Sequence, residues 1–483
     1  MIVHHEAADA IETLEPAAWR AQLLARVHAG MRPVTVYGRR DGEHVLVTAV
    51  VQDGAALRLS RTGVSPGKGY HELTSDLPAL HCFERELHEQ LGVRIAGHPW
   101  LKPIRFEGRD QAEMAAAHPF YRVDGKEVHE VAVGPIHAGV IEPGSFRFSC
   151  FGEHVLHLEI HLGYQHRGVE ARLRERDPRR LTPWAETIAG DTSVAHAWAY
   201  CAAIERLADH DADPDRDAAR AAMLELERVA MHLAGLAGLS ADVGFLPGAS
   251  TYGRLRTTAI NTSMRLCGSR FGRGALRPGG SGVELGDELA AVVRDNLAQL
   301  RDDLAIIDDC FLSARTVRHR LAGVGVVAAD LARRVGLVGM AARSSDVAVD
   351  ARAHGIYARR PIAVRTEPTG DCWARARLRI AELAASLAWL DDLVAEAPRW
   401  ARARSTLPAL VPGRVAIAVV EGWRGEVVHC LETDAAGGLL HYKAQDPSLR
   451  NWLGLALAVR GNEISDFPIC NKSFDLSYCG NDL

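Results

Sequence analysis

Residues Gly163–Glu205 read GYQHRGVEARLRERDPRRLTPWAETIAGDTSVAHAWAYCAAIE. Two pieces of this stretch set the reading of the whole chain. In GYQHRGVE (Gly163–Glu170) a His-Arg pair stands before a glycine, which reads as a strand-to-helix junction. Arg167 and Glu170 are three apart, so a helix starting there would place them on one face as an ion pair. In AETIAGDTS (Ala185–Ser193) a small, flexible turn leads into Thr192–Glu205, which predicts a helix capped by Thr192 or Ser193.

Upstream, Pro16–Ala29 places Trp19, Leu23, Leu24 and Val27 at helical spacing. Val34–Tyr37, His44–Val51 and Ala56–Arg61 follow, with Asp-Gly pairs at 41–42 and 53–54 between them, a pattern that predicts an antiparallel meander. Residues 107–128 are polar with a turn signal at Asp124-Gly125 and read as a linker. Val131–Phe148 and Val155–Ile160 are β-rich around a turn at Gly152-Glu153. Downstream, Asp209–Asp217 reads as an acidic, solvated connection and Ala221–Leu239 as an amphipathic helix. Leu289, Val293, Leu297, Leu300, Leu304, Ile307 and Phe311 alternate spacings of three and four, which predicts one long helix with an apolar stripe. Arg375–Leu393 predicts another. The glycines of Met264–Val283 are followed by no Lys-Ser/Thr, so they do not make a nucleotide loop.

A chain of 483 residues suggests more than one domain. A net charge of −5 gives no general attraction to nucleic acid, and none is expected as a partner. Apolar runs stay shorter than the roughly 18 residues a membrane span needs. The first residues lack a secretory signal pattern. The nine cysteines form no CxxC pair, so this chain alone is expected to hold neither an iron–sulfur cluster nor zinc.

Five separated motifs, in order, resemble one family. HRGVE resembles the HRGxE segment shared by two related groups. These are the large subunits of membrane-bound nickel–iron hydrogenases (formate-hydrogenlyase and hydrogenase-4 type) and the forty-nine-kilodalton, quinone-site subunit of respiratory complex I. Gly134–Phe148 (GPIHAGVIEPGSFRF) is similar to the hydrogenase form of the preceding motif. Glu225, Arg228 and His232 resemble E-x-x-R-x-x-x-H. Arg343, Asp350 and Arg352 resemble a further segment, and Glu421–Glu426 (EGWRGE) resembles E-x-x-RGE. Ahead of these, Cys82–Phe106 resembles the ERE and GHP segments of the thirty-kilodalton subunit of complex I through Glu84, Arg85, Glu86, Gly92, Gly97, His98 and Pro99. By itself, ERE reads as a charged helix face with local ion pairs.

The resemblance implies an α+β domain at 1–110 like the thirty-kilodalton subunit, a linker at 111–128, and a domain at 129–483 like the hydrogenase large subunit and the quinone-site subunit of complex I. The last domain is expected to be mainly helical, with a small β-rich lead-in and C-terminal β elements. The resemblance also marks where this chain departs. The first pair of metal-ligating cysteines falls on Ala189 and Thr192, and the second pair on Ser477 and Gly480, with Cys479 one place off. Nickel in these hydrogenases needs four thiolates, so no metal is expected here. The complex I quinone tyrosine falls on Gly190, and its second histidine on Ile141, leaving His137.

The resemblance implies Glu142 as a proton-transferring carboxyl whose pKa burial would raise, against an ordinary carboxylate paired with Arg147. It further implies roles for His166, Arg424 and Asp475 in catalysis, and for His137, Arg167, Gly190 and Asp191 around a bound group. The expected function is an oxidoreductase subunit of the NADH-dehydrogenase and hydrogenase type, active only in a complex. That complex would be peripheral on the cytoplasmic face of the membrane. A partner of the twenty-kilodalton type would carry the iron–sulfur cluster, antiporter-like subunits would form the membrane part, and a quinone is a candidate acceptor. A non-catalytic scaffold and an active hydrogenase with unusual ligands are the alternatives.

Overall fold

The computed structural model describes residues 1–65, 67–107, 118–137, 141–175, 177–210, 213–396, 399–403 and 407–483. The expected meander forms: strands Arg32–Asp41, His44–Asp53 and Ala56–Val64 are antiparallel neighbours, extended by a short parallel strand at Thr13–Leu14. Helices Pro16–His28 and His81–Leu91 cover one face, burying Trp19, Leu23, Phe83 and Leu87. The second helix lies so close that a Cβ on Gly38 would stand 2.7 Å from the methyls of Leu87 and Leu91, so a side chain at 38 would require those leucines to move.

The other face of this meander is also buried. It packs on a second four-stranded sheet made by Arg414–Glu421, Glu426–Thr433, Leu439–Gln445 and the N-terminal strand Ile2–Ala7. Ile2 pairs with Val419 and Ala7 with Arg414, antiparallel. Burial on both faces explains why Pro33–Tyr37 is an unbroken buried run and not an alternating one. Residues expected in a unit at 1–110 thus share a sheet and a core with residues expected at 129–483. The linker expected at 111–128 lies in part outside the described residues, and the strand Val128–Val133 begins at its far end.

The large part is mainly helical, as the motifs imply. Helices Pro214–Asp242, Leu246–Cys267, Asp287–Ser313 and Cys372–Ala395 pack side by side. The stripe from Val293 to Phe311 faces inward throughout. Pro214 starts its helix where a missing N–H costs nothing, and Asp213 caps it by accepting from the backbone N–H groups of Asp215 and Arg216. The acidic stretch read as solvated is therefore partly a helix start, and its residues 211–212 lie outside the described residues.

Helix Ser193–Leu207 is buried on almost every side, between the C-terminal sheet and helix Pro214–Asp242. A three-stranded sheet, with Ser145–Phe151 between Val128–Val133 and His154–His161, stacks Phe146 and Phe148 on Phe467. Among the described residues no helix is long and apolar enough to cross a membrane.

Three local expectations are corrected. The ERE segment is no solvated face: Glu84 and Glu86 are buried. Glu84 accepts from the N–H groups of Leu73 and Thr74, and Glu86 pairs with Lys443 at 2.6 Å and with Arg105. Arg167 and Glu170 do not pair. Glu170 instead meets Lys443 at 3.0 Å and the N–H of Ala444, because the helix is the single turn Val169–Arg172 and Arg167 lies ahead of it, before Gly168 at φ +66°. Helix Ser193–Leu207 takes no side-chain cap from Thr192 or Ser193. The Glu227 carboxylate, from a neighbouring helix, accepts from the N–H groups of Val194 (2.7 Å) and Ala195 (3.3 Å).

Candidate functional site

Three chain segments cross at the N-terminal end of helix Ser193–Leu207: residues 187–192, the turn Gly422–Gly425, and residues 475–482. Arg424 joins them. Its guanidinium grips Asp191 with two hydrogen bonds of 2.6 and 2.7 Å, reaches Thr192 Oγ1 at 3.2 Å and donates to the carbonyl of Asp475. The guanidinium also lies 3.9 Å from the Trp423 ring, whose N–H donates to the carbonyl of Asp191. Burial alone would lower the Arg424 pKa, but the Asp191 carboxylate outweighs it and holds the pKa above its ordinary value. The turn itself is held by close backbone packing. Gly339, at φ +62°, lies where a Cβ would stand 2.1 Å from the Arg424 carbonyl oxygen.

Asp475 adopts φ +56°, ending helix Phe467–Phe474 in the left-handed conformation. Its carboxylate pairs with Lys472 at 2.9 Å. Burial opposes ionisation, but Lys472, Arg379 and Arg424 outweigh it and lower the pKa. Glu142 is half-buried. It takes the Tyr478 N–H at 3.2 Å and lies against the thiol of Cys479, while Arg147 turns to Glu130. Burial first, then the Glu142 charge, push the Cys479 thiol up to about 12, so at neutral pH it carries its proton beside that carboxylate.

Arg167 positions the crossing. Its guanidinium donates to the carbonyls of Thr187 (2.7 Å), Ile188 (3.0 Å) and Cys479 (3.2 Å). His166 Nδ1 lies 2.8 Å from the Asp482 carbonyl, and its Nε2 is 3.9 Å from Glu107. Asp482 in turn accepts from the N–H groups of Gly163 and Gln165. His137 is held apart in its own loop, with Nε2 2.9 Å from the Gly144 carbonyl; residues 138–140 of that motif lie outside the described residues. Gly190 is exposed and Asp191 half-exposed, so the crossing opens to the surface.

The residues at the crossing do not fit a nickel–iron centre. Ala189 and Thr192 are buried and offer no thiol, and Ser477 commits its hydroxyl oxygen to capping, accepting from the Gly480 N–H at 2.9 Å. At Gly480 a Cβ would stand 2.6 Å from the Asp446 carboxyl carbon, so a cysteine there would collide with a carboxylate. One thiol, Cys479, remains where four would be needed. Among the described residues no group of three His, Cys, Asp or Glu is placed to hold a metal.

Two features escaped the sequence reading. Glu227 is buried beside Asp191, and burial outweighs its two backbone hydrogen bonds, raising its pKa to about 8. Asp446 starts a buried chain: its Oδ2 meets His196 Nε2 at 3.1 Å, His196 Nδ1 meets His429 Nε2 at 3.1 Å, and His429 Nδ1 meets the Tyr442 hydroxyl at 3.0 Å. Neither carries a local signal. The histidine at 196 was visible only as a member of a helix, and its partners come from distant strands.

Behind the crossing lies a buried ion network in which Glu382, on helix Cys372–Ala395, joins the motif residues His232, Arg343, Asp350, Arg352 and Glu421. Glu382 accepts from Arg343 Nε (2.9 Å) and meets His232 Nε2 (2.9 Å), Arg343 also donates to Glu421 (2.7 Å), and Arg352 pairs with Asp350 (2.7 Å). Arg228 links this network to the turn, donating to the carbonyls of Glu421 (2.7 Å) and Gly422 (3.0 Å).

The chain is similar to known proteins over much of its length. Residues 242–409 match the family described as the 49 Kd subunit of respiratory-chain NADH dehydrogenase. Formate hydrogenlyase subunit 5 of Escherichia coli (strain K12) is 28% identical over 440 residues, covering 86% of this chain and 77% of the relative. Hydrogenase-4 component G of the same organism is 25% identical over 492 residues, covering 95% and 85%. A chain of the membrane-bound sulfane sulfur reductase, an archaeal respiratory membrane complex, shares the fold with a TM-score of 0.69 at 23% identity, over 75% of this chain and 100% of that one. The similarity is to one class of proteins, subunits of hydrogenase and NADH dehydrogenase complexes. The chain is related to that class, whose members among these relatives are subunits of oxidoreductase complexes.

Proposed function

We propose that this chain is the large subunit of a membrane-associated complex, peripheral on the cytoplasmic face. An iron–sulfur subunit of the twenty-kilodalton type would dock at the crossing, and antiporter-like subunits would form the membrane part. Electrons from the partner's cluster would pass to a quinone or another small acceptor. Two electrons and two protons turn a quinone into a quinol, and Glu142, His166 and Asp475 are the groups assigned to supply the protons. The carrying observation is that Glu142, Cys479, Arg424 and Asp475 stay together at a surface-opening crossing although the four ligand positions are Ala189, Thr192, Ser477 and Gly480. Exposed Ile136, Ile141 and Trp184, on the segments that lead to the crossing, suit a docked partner.

The test is turnover of the purified complex with a quinone analogue, together with elemental analysis. Quinone-dependent turnover with well under one nickel per chain is the expected result; about one nickel per chain would overturn it. A second reading, a non-catalytic scaffold, is favoured by the Asp191–Arg424 pair and Trp423, which themselves fill the crossing. An assembled complex without turnover would select it.

A further inference from the structure

A cavity of about 560 Å³, touching the crossing segment 475–482 only at Asn481, lies between helix His81–Leu91, the loop 99–104, residues 118–122, strand His154–His161 and helix Ser448–Ala458. Its size is that of a small-molecule site. The walls are largely flat rings. His81 stacks on Trp100 at 5.4 Å, His118 stacks on His161 at 5.1 Å, and Trp452 closes one side.

The polar groups in these walls are incompletely used. Trp452 and His81 are each 5% exposed, yet the indole N–H of Trp452 and both ring nitrogens of His81 have no hydrogen-bond partner, and neither has Nδ1 of His118. Buried polar atoms are nearly always paired, so several orphans around one cavity mark rings that have to turn for a ligand with oxygen acceptors to reach them. Burial keeps His81 neutral, so it offers one N–H to such an acceptor.

Charge points to the sign of that ligand. Arg85 borders the cavity 4.3 Å from the Trp100 ring, and its hydrogen bonds go to the carbonyls of Lys102 and Pro103. Among the described residues no carboxylate pairs with it. Glu159, the carboxylate on the cavity wall, is already taken by Lys102 (2.6 Å), His118 (2.9 Å) and the N–H of Tyr121 (2.8 Å). A half-buried guanidinium facing a cavity without a counter-ion favours an anion there.

We propose that this cavity binds a small organic anion carrying a flat ring, its ring between Trp100 and Trp452 and its carboxylate or phosphate on Arg85. The site is independent of the crossing and of the function proposed for it.

The test is calorimetric titration of the full chain with 2-naphthoate and 2-naphthyl phosphate, with 2-naphthylmethanol as the uncharged control. At least one anion should bind with a Kd below about 1 mM, at least tenfold tighter than the alcohol. The better anion identifies the head group. Arg85→Gln should weaken it tenfold or more, and Trp452→Phe, which keeps the ring and loses the N–H, severalfold. No binding of either anion at 5 mM, or equal binding of the alcohol, overturns the proposal. So does unchanged affinity in Arg85→Gln or, should that variant not fold, in Trp452→Phe.

Discussion

The buried ion network and the crossing in front of it are built from motif residues of one family, yet they differ in what surrounds them. Glu382, Arg343, Asp350 and Glu421 are sealed from solvent, and each charge meets at least one opposite charge. At the crossing, Asp191 is 38% exposed by its side chain, Glu142 is half-buried, and the thiol of Cys479 lies between Glu142 and the Ser477 hydroxyl with no cation beside it among the described residues. A closed network tolerates no single replacement, because every loss strands a buried charge. At the crossing, exposed side chains such as Asp191 can be exchanged at small cost to the fold, whereas Ala189, Thr192, Ser477 and Gly480 are themselves buried.

The contrast can be broken most severely at Glu382. Glu382→Ala takes from His232 its carboxylate and from Arg343 one of its carboxylate partners, Glu421 and Asp350 remaining, and should cost about 3–5 kcal/mol, or prevent folding. Urea unfolding measures it; a loss under about 1 kcal/mol would show that the network does not brace the turn before Arg424. Glu142→Gln should do the reverse. It leaves the unfolding midpoint in place and lowers turnover of the assembled complex by roughly 10²-fold, the scale for a positioned acid–base group. Turnover at the parent rate would make Glu142 structural.

Glu227 lies between the two regimes. Its folded pKa, about 8, is above that of an unfolded carboxyl. Between the two values the folded state holds a proton that the unfolded state has released, so stability falls as pH rises across that window. Glu227→Gln cannot titrate. Relative to it, the parent should lose on the order of 2 kcal/mol from pH 5 to pH 8, read as the difference in urea unfolding between the two proteins. Parallel curves would place the ionised form in the fold.

The smallest effect is expected from Asp191→Asn. Half-exposed pairs contribute about 1 kcal/mol or less and are screened by salt. The difference from the parent should shrink between 0.05 and 0.5 M salt. A cost several times larger and insensitive to salt would place the crossing with the buried network.

Local pattern carried much of this. The stripe from Val293 to Phe311 is a helix in the structure because periodicity needs only neighbours along the chain. The meander likewise followed from β-branched runs broken by Asp-Gly turns. The Arg167–Glu170 pair failed for the same reason in reverse: spacing assumed a helix from Arg167 on, while the helix begins at Val169 and the Glu170 side chain turns to Ala444 of the C-terminal sheet. At the site, the sequence named Glu142, Arg424 and Asp475 but not what holds them.

By itself, then, the sequence determined the order of helices and strands, the family motifs and the loss of the thiolate positions, all of them properties of adjacent residues. Only the tertiary structure decided that Ile2–Ala7 completes a sheet with Arg414–Glu421, that Glu227 caps helix Ser193–Leu207, and that Asp446 occupies the space beside Gly480. Those pairings join residues 33 to more than 400 positions apart. Their energies come from burying charge and apolar surface together, which no window of neighbouring residues contains.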